Sequence, residues 1–331
     1  MSQEALIRTR ELAKRYKLVA GLFASSSRWV WALNGVDFEL RRGETYGLVG
    51  ESGSGKTTLA RCLVQLAPHS SGSIEYLPGD GGQPEGWEVS RRSPELLRRF
   101  RSEVKYIFQD PSSALDPRMS VFRILSVGFR YSPKYSGPSA LKARAVELMQ
   151  AVGLRESDLE RRPSEFSGGQ RQRISLARAL FSNPTALICD EVVSALDVSI
   201  QGQILNLLVE LKRAYRLTIL FIAHDLTVVS YMADRIGVLY GGSLMEEAAA
   251  SEITHRPLHP YTQLLYRAIP RLGGGPPERG VAAGTPFNPT RPPVGCPFVG
   301  RCPLEQEICR REKPPLREIS PGHRVACHFV S

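Results

Sequence analysis

An α/β fold on a mostly parallel sheet, followed by an accessory C-terminal region, is predicted for this 331-residue chain by three stretches of its sequence. The first is Gly50-Glu51-Ser52-Gly53-Ser54-Gly55-Lys56-Thr57, which fills the G-x-x-x-x-G-K-[ST] pattern of a phosphate-binding loop. It lies between a short apolar strand at 46–49 and a helical face carrying Leu59, Leu63 and Leu66. The second is the unbroken apolar run 186–189, which ends in Asp190-Glu191, and the third is the run 217–223, which ends in His224-Asp225. Runs without polar alternation mark strands buried on both faces, as in parallel sheets.

The residue types of the loop follow from its ligand chemistry. A triphosphate needs several backbone N–H groups turned towards it, and glycine curls the chain that tightly without a Cβ clash. The helix that begins at Lys56 adds the positive end of its dipole. Lys56 is expected to reach the β- and γ-phosphates and the Thr57 hydroxyl to ligate Mg²⁺. The alternative, a Gly/Ser-rich surface turn, leaves the flanking strand and helix unexplained.

Composition narrows the class. Apolar residues make up 42% and aromatics 8%, which is globular rather than disordered. A balance of 43 basic against 33 acidic residues leaves a net charge of +10, which suits a polyanion or an anionic membrane surface. No apolar run approaches the roughly 18 residues that cross a bilayer. The start, Met1-Ser2-Gln3-Glu4, lacks the basic-then-apolar pattern of a secretory signal, and the chain is read as soluble and cytosolic. Cys62 and Cys189 lie in apolar settings and read as small buried hydrophobes, whereas Cys296, Cys302, Cys309 and Cys327 crowd the C-terminal end. In a reducing compartment such a cluster points to metal before disulfides.

In chain order, residues 7–40 read as β-rich, with 33–40 alternating and ending at the turn Arg42-Gly43-Glu44. Tyr16 is a candidate to stack on adenine, with Trp29 or Trp31 as alternatives. Residues 78–86 read as a loop, Ser93-Pro94-Glu95 as a helix start, and 104–108 as a strand delivering Gln109 to a position beside Mg²⁺ and an attacking water. Periodicity from 111 to 166 is helical. Ser167-Gly168-Gly169-Gln170 opens a helix to about 182, with Ser167 as its N-cap, and makes a second anion site. Two such sites share one nucleotide if two chains dimerise head to tail. Asp190 is placed to bind Mg²⁺ through water and Glu191 to orient or deprotonate the hydrolytic water. Residues 194–197 form a turn capping the helix 198–213, and His224, at a strand end, is a candidate sensor of the γ-phosphate.

Together, residues 50–57, Gln109, 167–170, Asp190-Glu191, 194–197 and His224 resemble the full motif set of ABC-type ATPases, over about residues 5–247. His259-Pro260-Tyr261-Thr262 resembles a segment of the dipeptide and oligopeptide importer ATPases, and the likeness extends through Cys296-Pro297-Phe298, Arg301-Cys302-Pro303 and 322–328. The resemblance implies an ABC-type P-loop ATPase fold with a mostly parallel core sheet, an antiparallel β subdomain, an α-helical subdomain and a small Cys-rich C-terminal region. The implied layout is a nucleotide-binding domain at 1–256, its helical part at about 111–170, and an importer-type C-terminal region at 257–331, with a linker at 273–293 and a metal-binding tail at 294–331. Gly50, Glu51, Ser52, Gly53, Ser54, Gly55, Lys56, Thr57 and Thr58 are then expected to bind ATP, with Thr57, Gln109 and Asp190 around Mg²⁺. Glu191 is implied as catalytic base, Gln109 as coupling glutamine and His224 as switch. Ser167, Gly168, Gly169 and Gln170 complete the site of the opposite subunit. The chain departs from the pattern where Val192-Val193 stand in place of a Pro-containing pair, and where Phe166 replaces the commoner Leu.

The four C-terminal cysteines suit a [4Fe–4S] cluster, a zinc site with His323 and His328 as spare ligands, or free thiols. The resemblance implies the iron–sulfur cluster. It also implies an ATP-hydrolysing subunit that powers import of di- or oligopeptides, peptide-like solutes or nickel chelates. The implied partners are a second ATPase subunit, a paralogue forming a heterodimer, two membrane permease subunits gripped by residues 109–163, and indirectly an extracytoplasmic binding protein. The location is then peripheral, on the cytoplasmic face of the cell membrane. An ATPase acting on nucleic acid or ribosomes is the competing class, but the chain has no second cassette or long coiled coil, and no nucleic-acid partner is expected. A regulatory ATP-binding protein without turnover requires loss of Lys56 or Glu191, and both are present.

Overall fold

The computed structural model describes residues 4–18, 28–79, 86–91, 93–129, 137–268, 287–291 and 294–330. The middle of the 78–86 loop and most of the 273–293 linker lie outside the described residues. The chain forms two compact units, Met1–Arg91 with Ile222–Ser331, and Arg92–Phe221.

In the first unit, the β-rich entry resolves into two 14-residue strands, Ala5–Leu18 and Arg28–Arg41, paired antiparallel. With Ser71–Tyr76 and Trp87–Glu88 they make a four-stranded sheet. Val36, Phe38 and Leu40 point inward between exposed Asp37 and half-buried Glu39, as the period of two requires. A second sheet within this unit runs in the order Arg317–Ser320, His323–Val325, Ser243–Ala249, Arg235–Tyr240, Thr45–Val49. Its innermost pair is parallel and the others antiparallel, so this part of the sheet is mixed. The outer strands were not foreseen because they are short and polar: Arg317–Ser320 buries none of its four residues. The helix after the phosphate loop, Lys56–Leu63, ends one turn earlier than the apolar face suggests. Gln65 takes a left-handed backbone (φ 57) and Leu66 is left 55% exposed.

The second unit contains the strands Val104–Ile107 and Ala186–Asp190, paired in parallel, followed in the sheet by Thr218–Ile222 at the unit boundary. Its helices form for reasons visible in the sequence. Pro94–Glu103 starts with Pro at its first position and Ser93 accepting the Leu96 N–H. Pro138–Ala151 buries Leu141, Ala145, Leu148 and Met149, a stripe at helical spacing. Among its other helices are Gly168–Leu180 and Val198–Tyr215. Asp197 occupies the N-cap position of the last helix without a side-chain hydrogen bond, so that cap is made by backbone alone.

Two buried polar centres tie the first unit together. The Arg235 guanidinium lies 3.2 Å from the Glu44 carboxylate and also pairs with Glu247, which Arg324 meets from the C-terminal strand. Glu44 and Glu247 are each 1% exposed. Burial raises the Glu44 carboxyl above its usual range, and Arg235 opposes that rise. In the second centre, the buried Glu246 carboxylate accepts the N–H groups of Leu258 (2.7 Å) and His259 (3.0 Å) and bonds His323 Nε2 at 2.7 Å. His259 Nδ1 accepts the Tyr261 N–H at 3.0 Å, capping the helix Pro260–Arg267.

Both centres can be probed by substitution. Arg235→Met leaves two carboxylates buried with less compensation and is expected to destabilise the protein by about 3–5 kcal/mol in urea unfolding; a loss below about 1 kcal/mol would show the pairing to be incidental. Burial pushes His259 down to about 3, whereas the unfolded side chain takes up a proton near 6.5. The unfolded state therefore binds the extra proton between those values, and stability falls as pH drops below 6.5. His259→Asn retains a cap acceptor and removes this term, so it should lose about 2 kcal/mol less stability than the parent between pH 6.5 and 5. Parallel stability–pH curves for the two proteins would contradict this.

Candidate active site

The buried strand Thr45–Val49 delivers the phosphate loop, and two glycines are required by close approach. Gly50 has φ +155, and a Cβ there would sit 2.1 Å from the Leu239 carbonyl oxygen; Gly55 has φ +108, and its Cβ would meet the Ala32 carbonyl oxygen at 2.5 Å. Lys56 Nζ lies in the curl of the loop, donating to the carbonyls of Gly50 (2.7 Å) and Glu51 (3.0 Å) and approaching Ser54 Oγ (3.5 Å). The helix it opens has no side-chain cap and no acidic residue in its first turn. That end is therefore suited to an anion. The Thr57 hydroxyl is a hard oxygen donor of the kind Mg²⁺ takes, and so, in the second unit, is the Asp190 carboxylate.

His224 follows Thr218–Ile222 and is exposed, while Asp225 caps the next helix by accepting the Thr227 N–H at 2.7 Å. Tyr16 is 39% exposed on the long first strand, with Lys14 Nζ 4.6 Å from its ring centre. Trp29 and Trp31 lie under the Arg15 guanidinium at 4.7 and 5.7 Å.

In the second unit, the parallel register Ile107↔Cys189 brings the ends of two strands level. Tyr106 Oη donates to Asp190 Oδ2 at 2.5 Å. Gln109 Nε2 donates to Glu191 Oε2 at 3.0 Å and to Ser194 Oγ at 3.3 Å. Glu191 itself is left-handed (φ 49), a conformation that costs a non-glycine residue energy and is found at functional sites. The turn is held by Ser194, whose Oγ and N both donate to the Glu191 carbonyl, at 2.9 and 3.1 Å. Val192 and Val193 are 2% and 4% exposed, so burial stiffens a turn that lacks proline. Ser167 and Gln170 form a reciprocal capping box, Gln170 N to Ser167 Oγ at 3.3 Å and Ser167 N to Gln170 Oε1 at 3.0 Å. A Cβ on Gly169 would lie 2.8 Å from Ile200, which explains the second glycine by packing. Tyr106 and Ser194 were not singled out from the sequence as partners of the two carboxylates; only strand register places Tyr106 there.

The cysteine tail differs from expectation. Among the described residues, no three His, Cys, Asp or Glu side chains form a group able to hold a metal ion. The assignment of Cys296, Cys302, Cys309 and Cys327 to a [4Fe–4S] cluster, or to zinc, is corrected accordingly: all four are free cysteines. Burial pushes the Cys296 thiol up to about 12, an effect enlarged by the other three cysteines of the tail. Burial likewise raises Cys62 to about 11 and Cys189 to about 12, as inert core thiols should be.

Comparison with known proteins matches this geometry. The family model for ABC transporters covers residues 33–194, and the model for the oligopeptide/dipeptide transporter C-terminal region covers 245–309. The chain is 42% identical to the oligopeptide transport ATP-binding protein AppF of Bacillus subtilis, across 100% of this chain and 99% of that protein. It is also 42% identical to a putative peptide import ATP-binding protein of Brucella ovis, across 99% and 98%. Among solved structures, the dimeric bacterial ABC transporter cassette MJ0796 superposes with a TM-score of 0.62 at 26% identity, covering 74% of this chain and 99% of that one. The chain belongs to the family of ATP-binding proteins of oligopeptide and dipeptide ABC transporters.

Proposed function

We propose that this chain is the ATP-hydrolysing subunit that powers import of di- or oligopeptides through a membrane permease. The observation that carries the reading is end-to-end similarity to an oligopeptide transport ATP-binding protein, from the phosphate loop through the C-terminal region. The loop of Gly50, Ser52, Gly53, Ser54 and Gly55 and the Lys56 ammonium hold the β- and γ-phosphates, helped by Thr57 and Thr58 at the helix start. Thr57, Asp190 and Gln109 hold Mg²⁺, which neutralises phosphate charge when bound. Glu191 takes the proton of the attacking water, and Gln109, already bonded to its carboxylate, orients that water. Tyr106 keeps Asp190 in place. His224 senses the γ-phosphate and Tyr16 stacks on the adenine.

In the same reading, Ser167, Gly168, Gly169 and Gln170 complete the nucleotide site of a second ATPase subunit, a paralogue, so that hydrolysis belongs to the dimer. The domains run as 1–256, with a helical part at about 111–170, and 257–331. Two permease subunits dock on residues 109–163 and receive peptide from an extracytoplasmic binding protein. The chain sits peripherally on the cytoplasmic face; among the described residues no helix is long and apolar enough to cross a membrane.

The reading is tested by uptake of a labelled tripeptide in cells lacking the gene: the parent chain should restore it and Lys56→Ala should not, while uptake that is indifferent to the gene would refute the transport role. On the purified pair of ATPase subunits, Glu191→Gln should retain ATP binding and lower phosphate release by about 10²–10³-fold, the usual effect of a positioned base. Turnover within threefold of the parent would remove Glu191 from the catalytic role.

A further inference from the structure

The phosphate loop contains a carboxylate, Glu51, which has the same sign of charge as the phosphate that the loop is read to bind. Two side chains of the C-terminal region act on this residue. Arg301 donates from Nη1 and Nη2 to Glu51 Oε2 and Oε1, both at 2.8 Å, a bidentate pair. Tyr261 Oη accepts the Glu51 N–H at 2.9 Å. Both partners are fixed from behind. The Arg301 side chain is 7% exposed, and its guanidinium also donates to Tyr240 Oη at 3.0 Å and stacks against the rings of Tyr240 and Phe298. Tyr261 is fully buried between the same two rings, at centroid distances of 4.6 and 5.4 Å. Glu51 is the more exposed member of the ion pair, at 38%. The arrangement is therefore a rigid receptor, built by the C-terminal region, for a single residue of the loop.

We propose that Arg301 is a positioning residue for nucleotide binding: it neutralises Glu51 and, with Tyr261, holds the second residue of the phosphate loop so that the loop accepts an anion. The inference rests on the reading of residues 50–57 as the ATP site. Charge is the deciding element. Without the guanidinium, the Glu51 carboxylate stands uncompensated in the loop and repels phosphate, and removing that carboxylate should cure the defect.

The experiment is titration of the full-length chain with a fluorescent ATP analogue and Mg²⁺, at low and moderate salt, for the parent, Arg301→Ala, Arg301→Lys and the double variant Arg301→Ala with Glu51→Gln. Arg301→Ala should weaken binding about tenfold, more at low salt than at moderate salt. Arg301→Lys, which keeps the charge and loses the fork, should fall between. The double variant should return to within about twofold of the parent, a rescue that a purely structural role for Arg301 in packing the tail does not produce. Unchanged binding by Arg301→Ala, or a double variant as weak as the single one, overturns the inference. If Arg301→Ala does not fold, the same decision falls to Arg301→Lys with and without Glu51→Gln. Failure of the parent itself to bind the analogue overturns the ATP reading and this inference with it, whereas parent binding with no Arg301 effect overturns this inference alone.

Discussion

A loop that is to present its N–H groups to an anion must be held from its other side, and the first unit is arranged around that requirement. Gly50 presses its backbone against the Leu239 carbonyl so closely that no side chain fits. Gly242 donates its N–H to the Ser54 carbonyl at 2.9 Å, and Tyr261 and Arg301 secure Glu51. Strand, turn and C-terminal helix thus each brace the outer surface of the same few residues. The loop owes its shape to these neighbours as much as to its glycines, because glycine permits a tight curl without selecting one.

The turn that carries Glu191 is held by different means. Glu191 adopts a left-handed backbone that an L-residue with a side chain avoids, and the surrounding turn makes that conformation the least unfavourable choice. Ser194 closes the turn on the Glu191 carbonyl, and the buried side chains of Val192 and Val193 anchor the two positions between them. The bond from Gln109 fixes the carboxylate at the other end. The absence of proline after Glu191 is thereby accounted for: hydrophobic burial and a serine supply the stiffness that a pyrrolidine ring gives elsewhere.

The C-terminal tail shows how a residue count misleads. Four cysteines near one end of a chain invite a metal, but the tail is organised by other forces. Cys296 donates its N–H to the Cys309 carbonyl at 2.7 Å, so one pair is joined through backbone. Cys327 packs with Val325 and Val330 against Leu258 and Ile319 as a small apolar residue. Glu246, buried without exposure, gathers His323 and two backbone amides from the segment that leads into Tyr261. The tail is thus bonded into the unit that carries the phosphate loop.

Local chemistry was legible in the sequence. The phosphate loop, the buried strands ending at Asp190 and near His224, the capping box at Ser167 and Gln170, and the apolar stripe of Pro138–Ala151 are each set by residues within a few positions of one another, where backbone freedom, capping and periodicity act. The antiparallel strands of the C-terminal region were not legible, since short polar strands exist only because a partner edge offers them hydrogen bonds. The same holds for Tyr106 on Asp190, separated by 84 positions, and for Arg301 on Glu51, separated by 250. The sequence alone determined where the phosphate-loop pattern, the strand ends and the helix caps fall, because those are properties of residue type and spacing. Only the tertiary structure decided which side chains neutralise, orient and brace them, because those pairings depend on strand register and on the packing of segments that the chain order keeps far apart.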